Sequence, residues 1–291
     1  MPTKIEKDAL TGTDTTGHEW DGLKELNTPC PKWWLNVLYA TIVFAIVWMI
    51  LYPSLPIRGA TGITGWVARE AVVHDVAAAN ERMSPMMNRI REATPQQIIA
   101  DPELRGFAMA GGRIAFANNC AACHGAGGQG APGGFPSLAD DDWIWGGSFD
   151  AIHSTIVNGV RAGESDEERT SMMPRFGDGV LTPAQIGEVS QFLLSLSGRS
   201  TDAAAVERGR PIYAENCVSC HGENGEGNRD LGGLRLNDRV WLHATPSDPA
   251  SIARYIANPR MGVMPAWSTR LDPATVNMLT VYVHALGGGE N

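Results

Sequence analysis

Two short stretches hold the residues best suited to chemistry: "NNCAACHGAGGQG", with Cys120, Cys123 and His124, and "ENCVSCHGENGEG", with Cys217, Cys220 and His221. Two cysteines three apart with a histidine directly after them suit three chemistries: zinc, a redox dithiol or covalent haem. Two CxxC pairs could share one four-thiolate zinc site, yet each pair has its own complete set of flanking residues, and zinc gives no reason for the histidines. A thioredoxin-like dithiol belongs near a βαβ pattern, which is absent. Covalent haem accounts for every position. Cysteines at i and i+3 project to one side of a single turn, so both sulfurs reach the vinyl groups of one porphyrin, and the next histidine lies over the iron.

Haem iron in an electron carrier needs a sixth ligand, and a thioether there favours the reduced metal. Each motif is followed by a methionine directly before a proline, Met173-Pro174 and Met264-Pro265. Proline fixes φ and removes a donor, which suits a rigid extended loop pressing a sulfur onto a haem. Met172 competes with Met173, and the alignment of the two copies favours Met173. Met83, Met86, Met87, Met109 and Met278 read as core fillers. His153, His243 and His284 have no histidine at the matching place in the other copy, so surface or structural roles are expected of them. His18 and His74 lie outside both copies.

The elements that position these residues form a repeat. At an offset of 97, "GGRIAFANNCAACHGAGGQG" lies over "RGRPIYAENCVSCHGENGEG". Further on, "LADDDWI" matches "LNDRVWL", "IVNGVR" matches "IANPR", and "LTPAQIGEVSQFLLSLSG" matches "LDPATVNMLTVYVHALGG". Each copy reads as helical. Asp101-Pro102 is an N-cap with proline at the first helical position. Thr182 to Gln185 is a capping box, opening a helix with Ile186, Val189, Phe192, Leu193 and Leu196 at helical spacing. Asp272-Pro273 opens its counterpart, with Val276, Leu279, Tyr282, Val283 and Leu286 inward. No strand-like alternation stands out, so the expected class is all-α.

Residues 33–57, "WWLNVLYATIVFAIVWMILYPSLPI", carry no charge. About 20 apolar residues span the hydrocarbon core, and Trp33, Trp34 and Tyr52 suit its interfaces. This predicts a single transmembrane anchor over 33–55, ended by Pro53 and Pro56. The remaining expectation is a polar tail over 1–32, a helical linker over 56–100, and haem domains over 101–199 and 203–291. A net charge of −9 across 291 residues disfavours nucleic acid as a partner and suits a basic protein. "GESDEER", residues 163–169, occurs only in the first copy and reads as a solvated loop or a docking patch for such a partner. Charges flanking the anchor balance, so they leave its orientation open.

CxxCH with a later Met-Pro and a closing amphipathic helix resembles a class I cytochrome c domain, here in tandem. "EWDGLKELNTPCPKWW" running into the anchor, with "TGWV" after it, is similar to the dihaem subunit III, the CcoP/FixP family, of cbb3-type cytochrome c oxidases. The resemblance covers residues 19 to 291. It implies two covalently bound haem c groups: one on Cys120 and Cys123 with His124 and Met173 on the iron, the other on Cys217 and Cys220 with His221 and Met264. It implies electron relay from a soluble c-type cytochrome, through a monohaem membrane subunit, to a haem–copper catalytic subunit that reduces oxygen and pumps protons, with no catalytic residue in this chain. It places the tail in the cytoplasm and the haem domains in the periplasm of a bacterial inner membrane, with Cys30 a free thiol. The competing readings are a dihaem subunit of a quinol-linked dehydrogenase or nitric oxide reductase, and a dihaem peroxidase, which the matched Met-Pro pairs oppose.

Overall fold

The computed structural model describes residues 4–52, 62–131, 134–238, 240–243 and 247–290. The chain divides into two compact units, residues 1–82 and 83–291.

The first unit opens with a small antiparallel hairpin, β1 (Thr15–Trp20) and β2 (Leu23–Leu26). It is a minor addition to the expected all-α class. Asp21 and Gly22 both adopt positive φ, 52° and 85°, the turn whose twist matches paired strands and whose sequence signal is Asp-Gly. That signal lies within "EWDGLKEL". Helix α1 (Lys32–Leu51) follows, with no buried residue along its length and Trp33 and Trp34 exposed at its start. It is long and apolar enough to cross a bilayer. Pro53 and Pro56, expected to end it, lie outside the described residues. Helix α2 (Ala68–Glu92) realises the helix expected in the linker.

The second unit is helical. It contains α3 (Pro95–Ala100), α4 (Pro102–Asn119), α5 (Ala121–His124), α6 (Phe149–Asn158), α7 (Pro183–Leu196), α8 (Ala203–Asn216), α9 (Val218–His221), α10 (Pro249–Ala257) and α11 (Pro273–His284). Local sequence explains the starts. Asp101 accepts from the amides of Glu103 and Leu104, Thr182 and Gln185 form a reciprocal capping box, and Asp272 accepts from Ala274, each with proline in the first turn. Asp248 caps α10 in the same way.

The repeats do not each close on themselves. Helix α4 of the first copy packs on α11 of the second, and α7 of the first packs on α8 of the second. Helix α6 lies against α11, and α10 against α7. Two lobes result, each built from both copies. In the first, Ala115, Phe116, Ile152, Ile156, Val276, Leu279 and Val283 form the core. In the second, Ile186, Val189, Phe192, Leu193, Val206, Tyr213, Ile252 and Ile256 do. Each lobe contains one tilted aromatic pair, Phe116 with Tyr282 at 5.4 Å and Phe192 with Tyr213 at 4.9 Å. Both helix crossings need glycine. A Cβ on Gly112 would sit 2.4 Å from the Met278 carbonyl oxygen, and one on Gly209 would sit 2.3 Å from that of Glu188. A third layer covers the first lobe, where Ile90 and Ile98 are fully buried against Leu104, Ala108, Met278 and Val281.

Candidate haem centres

Cys120 and Cys217 sit at the C-termini of α4 and α8, their amides still bonded to the Phe116 and Tyr213 carbonyls. The chain then makes one more turn, α5 or α9, which ends on His124 or His221. In each turn the histidine amide bonds back to the first cysteine's carbonyl at 2.9 Å. The two cysteines and the histidine are therefore held on one helical turn, as covalent attachment requires. Gly125 and Gly222 follow with φ of 80° and 77°, which reverses the chain under the histidine.

Each imidazole is oriented from behind. His124 Nδ1 lies 3.0 Å from the Pro136 carbonyl oxygen, and His221 Nδ1 lies 2.8 Å from that of Leu234. A carbonyl accepts only from a protonated nitrogen, so Nδ1 carries the hydrogen and Nε2 keeps its lone pair for a metal. Burial holds both rings below the usual histidine pKa, against the opposing pull of those carbonyl bonds. Neutral imidazole is the ligating form. Burial, with the neighbouring thiol of each pair adding to it, pushes the Cys120 and Cys217 thiols up to about 11. Among the described residues, no three His, Cys, Asp or Glu side chains gather where they could hold one metal ion. The two cysteine pairs therefore do not converge on a shared zinc site.

The methionines follow the exchanged packing. Met264 packs with Cys120, Leu138 and Trp143 against the first lobe's core. Its backbone exchanges two hydrogen bonds with Val160, at 2.8 and 2.9 Å, just beyond α6. Met173 packs with Cys217, Leu236 and Trp241 against the second lobe's core, and Gly177 beyond it donates to the Ala257 carbonyl of α10 at 3.1 Å. The resemblance implied Met173 beside His124 and Met264 beside His221. In the structure Met264 lies on the same core as Cys120, and Met173 on the same core as Cys217. Met172, the competitor, is 70% exposed.

All eight expected site residues line one continuous, largely apolar cavity enclosing about 2450 Å³, mouths included. The residues present fit porphyrin: paired sulfurs on one turn, a lone pair held inward, a thioether from the facing loop and apolar walls. Sequence reasoning missed three other residues lining this cavity, Trp145, Arg161 and His243. His243, of which a surface or structural role was expected, stacks on Tyr255 at 4.9 Å. The repeat pairs Arg161 with Arg260, whereas Trp145 and His243 have no identical counterpart in the other copy. The "GESDEER" segment is braced at two of its carboxylates, while Asp166 and Glu167 remain exposed. Glu164 grips Arg270 through both oxygens, at 2.7 and 2.8 Å, and accepts from the Ala266 amide. Glu168 accepts from the amides of Ala162 and Gly163.

Comparison with known proteins covers the same ground. Residues 12–58 match the N-terminal domain of cbb3 cytochrome oxidase FixP, residues 108–197 match cytochrome c, and residues 204–283 match subunit III of cbb3-type cytochrome c oxidase. Among curated proteins, the chain is 49% identical to the cbb3-type oxidase subunit CcoP of Azospirillum brasilense, covering 98% of this chain and 99% of that one. It is 46% identical to FixP of Azorhizobium caulinodans, over 97% and 96% of the two chains. It is 44% identical to CcoP of Cereibacter sphaeroides, over the full length of both. With α1 and two cytochrome c regions, this makes the chain an inner-membrane, haem c-binding electron-transfer subunit that assembles with other oxidase subunits. The chain belongs to the CcoP/FixP family, subunit III of the cbb3-type cytochrome c oxidases.

Proposed function

We propose that the chain binds two haem c groups and relays electrons from a soluble c-type cytochrome towards the haem–copper catalytic subunit of a cbb3-type oxidase, by way of the complex's monohaem subunit. One haem is carried by Cys120 and Cys123, with His124 and Met264 on its iron. The other is carried by Cys217 and Cys220, with His221 and Met173. The observation that supports this pairing is the exchange itself: Val160, at the end of the first copy's α6, holds the backbone of Met264, while the loop of Met173 runs to the second copy's α10. The tail lies in the cytoplasm and the haem lobes in the periplasm, on the side of the donor.

Bound haem supplies a one-electron carrier whose potential answers to its axial ligands and burial. The chain's own contribution is positional. Pro136 and Leu234 carbonyls fix the imidazole tautomers, the Met-Pro loops would offer thioethers to the same cavity, and its apolar walls would exclude water. Electron relay needs no general acid, base or nucleophile.

Two measurements test this. The denatured chain should weigh two haem groups more than its polypeptide, and a bare mass would end the reading. In the reduced complex with labelled methionine methyls, two of those resonances should shift strongly in the porphyrin ring field. The Met264 methyl should show cross-relaxation to Leu138 and Trp143, and that of Met173 to Leu236 and Trp241. Contacts in the opposite sense would overturn the pairing while leaving the relay intact.

A further inference from the structure

Arg161 combines features that are costly apart and together point to an anion. Its φ is 55°, which makes it one of two non-glycine residues with positive φ among those described; the other is Asp21 in the hairpin turn. A side chain held in that region persists only where its surroundings over-determine it. Its Nε donates to the Gly262 carbonyl at 2.8 Å and its Nη1 to the Ser171 carbonyl at 3.0 Å. One guanidinium thus ties together the loop before Met264 and the loop before Met173. Among the described residues Nη2 has no hydrogen-bond partner and the group has no carboxylate within ion-pair distance.

The surroundings sharpen this. Two arginines line the cavity that both CxxCH motifs share, Arg161 and Arg235. Arg235 lies 4.0 Å from Asp238; Arg161 has no such neighbour. Burial pulls its guanidinium below the ordinary arginine range, and the one charge interaction opposing this is with Tyr255. A half-buried cation with no counter-charge is unstable in an apolar wall unless an anion joins it. Haem c brings anions of its own, two propionate carboxylates, and they too need a partner once inside such walls. The planar fork of arginine suits a carboxylate.

Resting on the reading that both motifs carry haem, we infer that Arg161 is a propionate-binding residue at the junction of the two haem pockets, pairing its free Nη edge with a haem carboxylate. A fixed positive charge there favours the ferrous over the ferric state, so Arg161 raises the potential of the haem it touches. Because it also tethers the loops before Met264 and Met173, that charge sits at the junction of the two.

The test uses the whole oxidase complex with Arg161→Gln, Arg161→Lys and Arg161→Gly. Glycine relaxes the left-handed backbone, so it separates loss of charge from strain. With two haems per chain by mass and both thioether ligands intact by spectrum, Arg161→Gln and Arg161→Gly should each lower one midpoint potential. The fall should be about tenfold in the one-electron equilibrium constant, or about 59 mV. The propionate bending band in the resonance Raman spectrum should shift in both, and Arg161→Lys should fall between these and the parent. Parent potentials and an unmoved band in the glutamine and glycine variants would overturn the assignment. So would an effect in glutamine that glycine abolishes. A chain lacking haem by mass would instead sink the proposed function itself.

Discussion

The loops that present Met264 and Met173 hold equivalent places in the repeat and are secured by different means. The Met264 loop is bonded along its backbone to Val160 and to the α6 carbonyls of Ile156 and Val157, then gripped from outside by Glu164 through Arg270 and the Ala266 amide. The Met173 loop has a single backbone bond to α10, from Gly177, with the Met173 amide resting 3.4 Å from the Met261 sulfur. Glu164 belongs to the insertion found only in the first copy. It braces the second copy's methionine because the copies have exchanged partners. One acidic insertion therefore braces one methionine loop and leaves the other with fewer bonds, although the two CxxCH sequences are nearly the same.

The largest expected effect breaks the pairing. Met264→Ala should abolish thioether ligation at the haem on Cys120 and Cys123 and leave the other haem's spectrum unchanged, and Met173→Ala should do the reverse. Redox titration of the two variants reads this, each affected potential falling by well over tenfold in the one-electron constant. Next comes the third layer, which only the first lobe has. Ile90→Ala empties a fully buried site and should cost about 2–5 kcal/mol. Hydrogen exchange should report faster opening in α4 and α11 than in α7 and α8.

The helix crossings should respond alike. Gly112→Ala and Gly209→Ala each push a methyl against a backbone carbonyl and should cost about 1–3 kcal/mol, in opposite lobes. Unequal losses seen by thermal unfolding would show that the lobes tolerate strain differently. Glu164→Gln should erase the asymmetry between the loops and raise the rate at which an added ligand displaces Met264 towards that for Met173. Its bonds to Arg270, then to the Ala266 amide, hold the Glu164 carboxyl down at about 2. The brace therefore contributes fully above the unfolded value near 4.5 and is lost only as pH falls through about 2. The smallest effect is at Asp142, which burial, then Asp238, raises to about 6. A carboxyl raised on folding stabilises below its unfolded value near 3.8, and that contribution disappears as pH rises through about 6. Asp142→Asn should flatten the stability profile over that window.

Much of this was legible in sequence because it is local. The haem attachment turn, the capped helix starts at Asp101, Thr182 and Asp272, and the apolar span of α1 each follow from a few adjacent residues. The hairpin at Asp21-Gly22 is equally local, its signal confined to the Asp-Gly turn because its strands do not alternate cleanly. The exchange was not legible, for a physical reason. A tandem repeat gives α4 two chemically similar partners, α7 and α11, so composition and periodicity cannot choose between them. The choice falls to the short connection over 197–202, which joins α7 directly to α8, its packing partner. Arg161 and His243 escaped detection because their roles arise only where the copies meet.

The position of α11 has a bearing on synthesis. Domains made in sequence usually complete from the N-terminal end, but here the first lobe lacks a helix and its methionine until residues 261–290 emerge, whereas residues 161–260 already contain every part of the second. The lobe begun first is finished last. A ribosome that stalls after α10 would release a chain with one sound haem pocket and one gaping cleft of apolar side chains, which quality-control proteases can recognise before it reaches an oxidase.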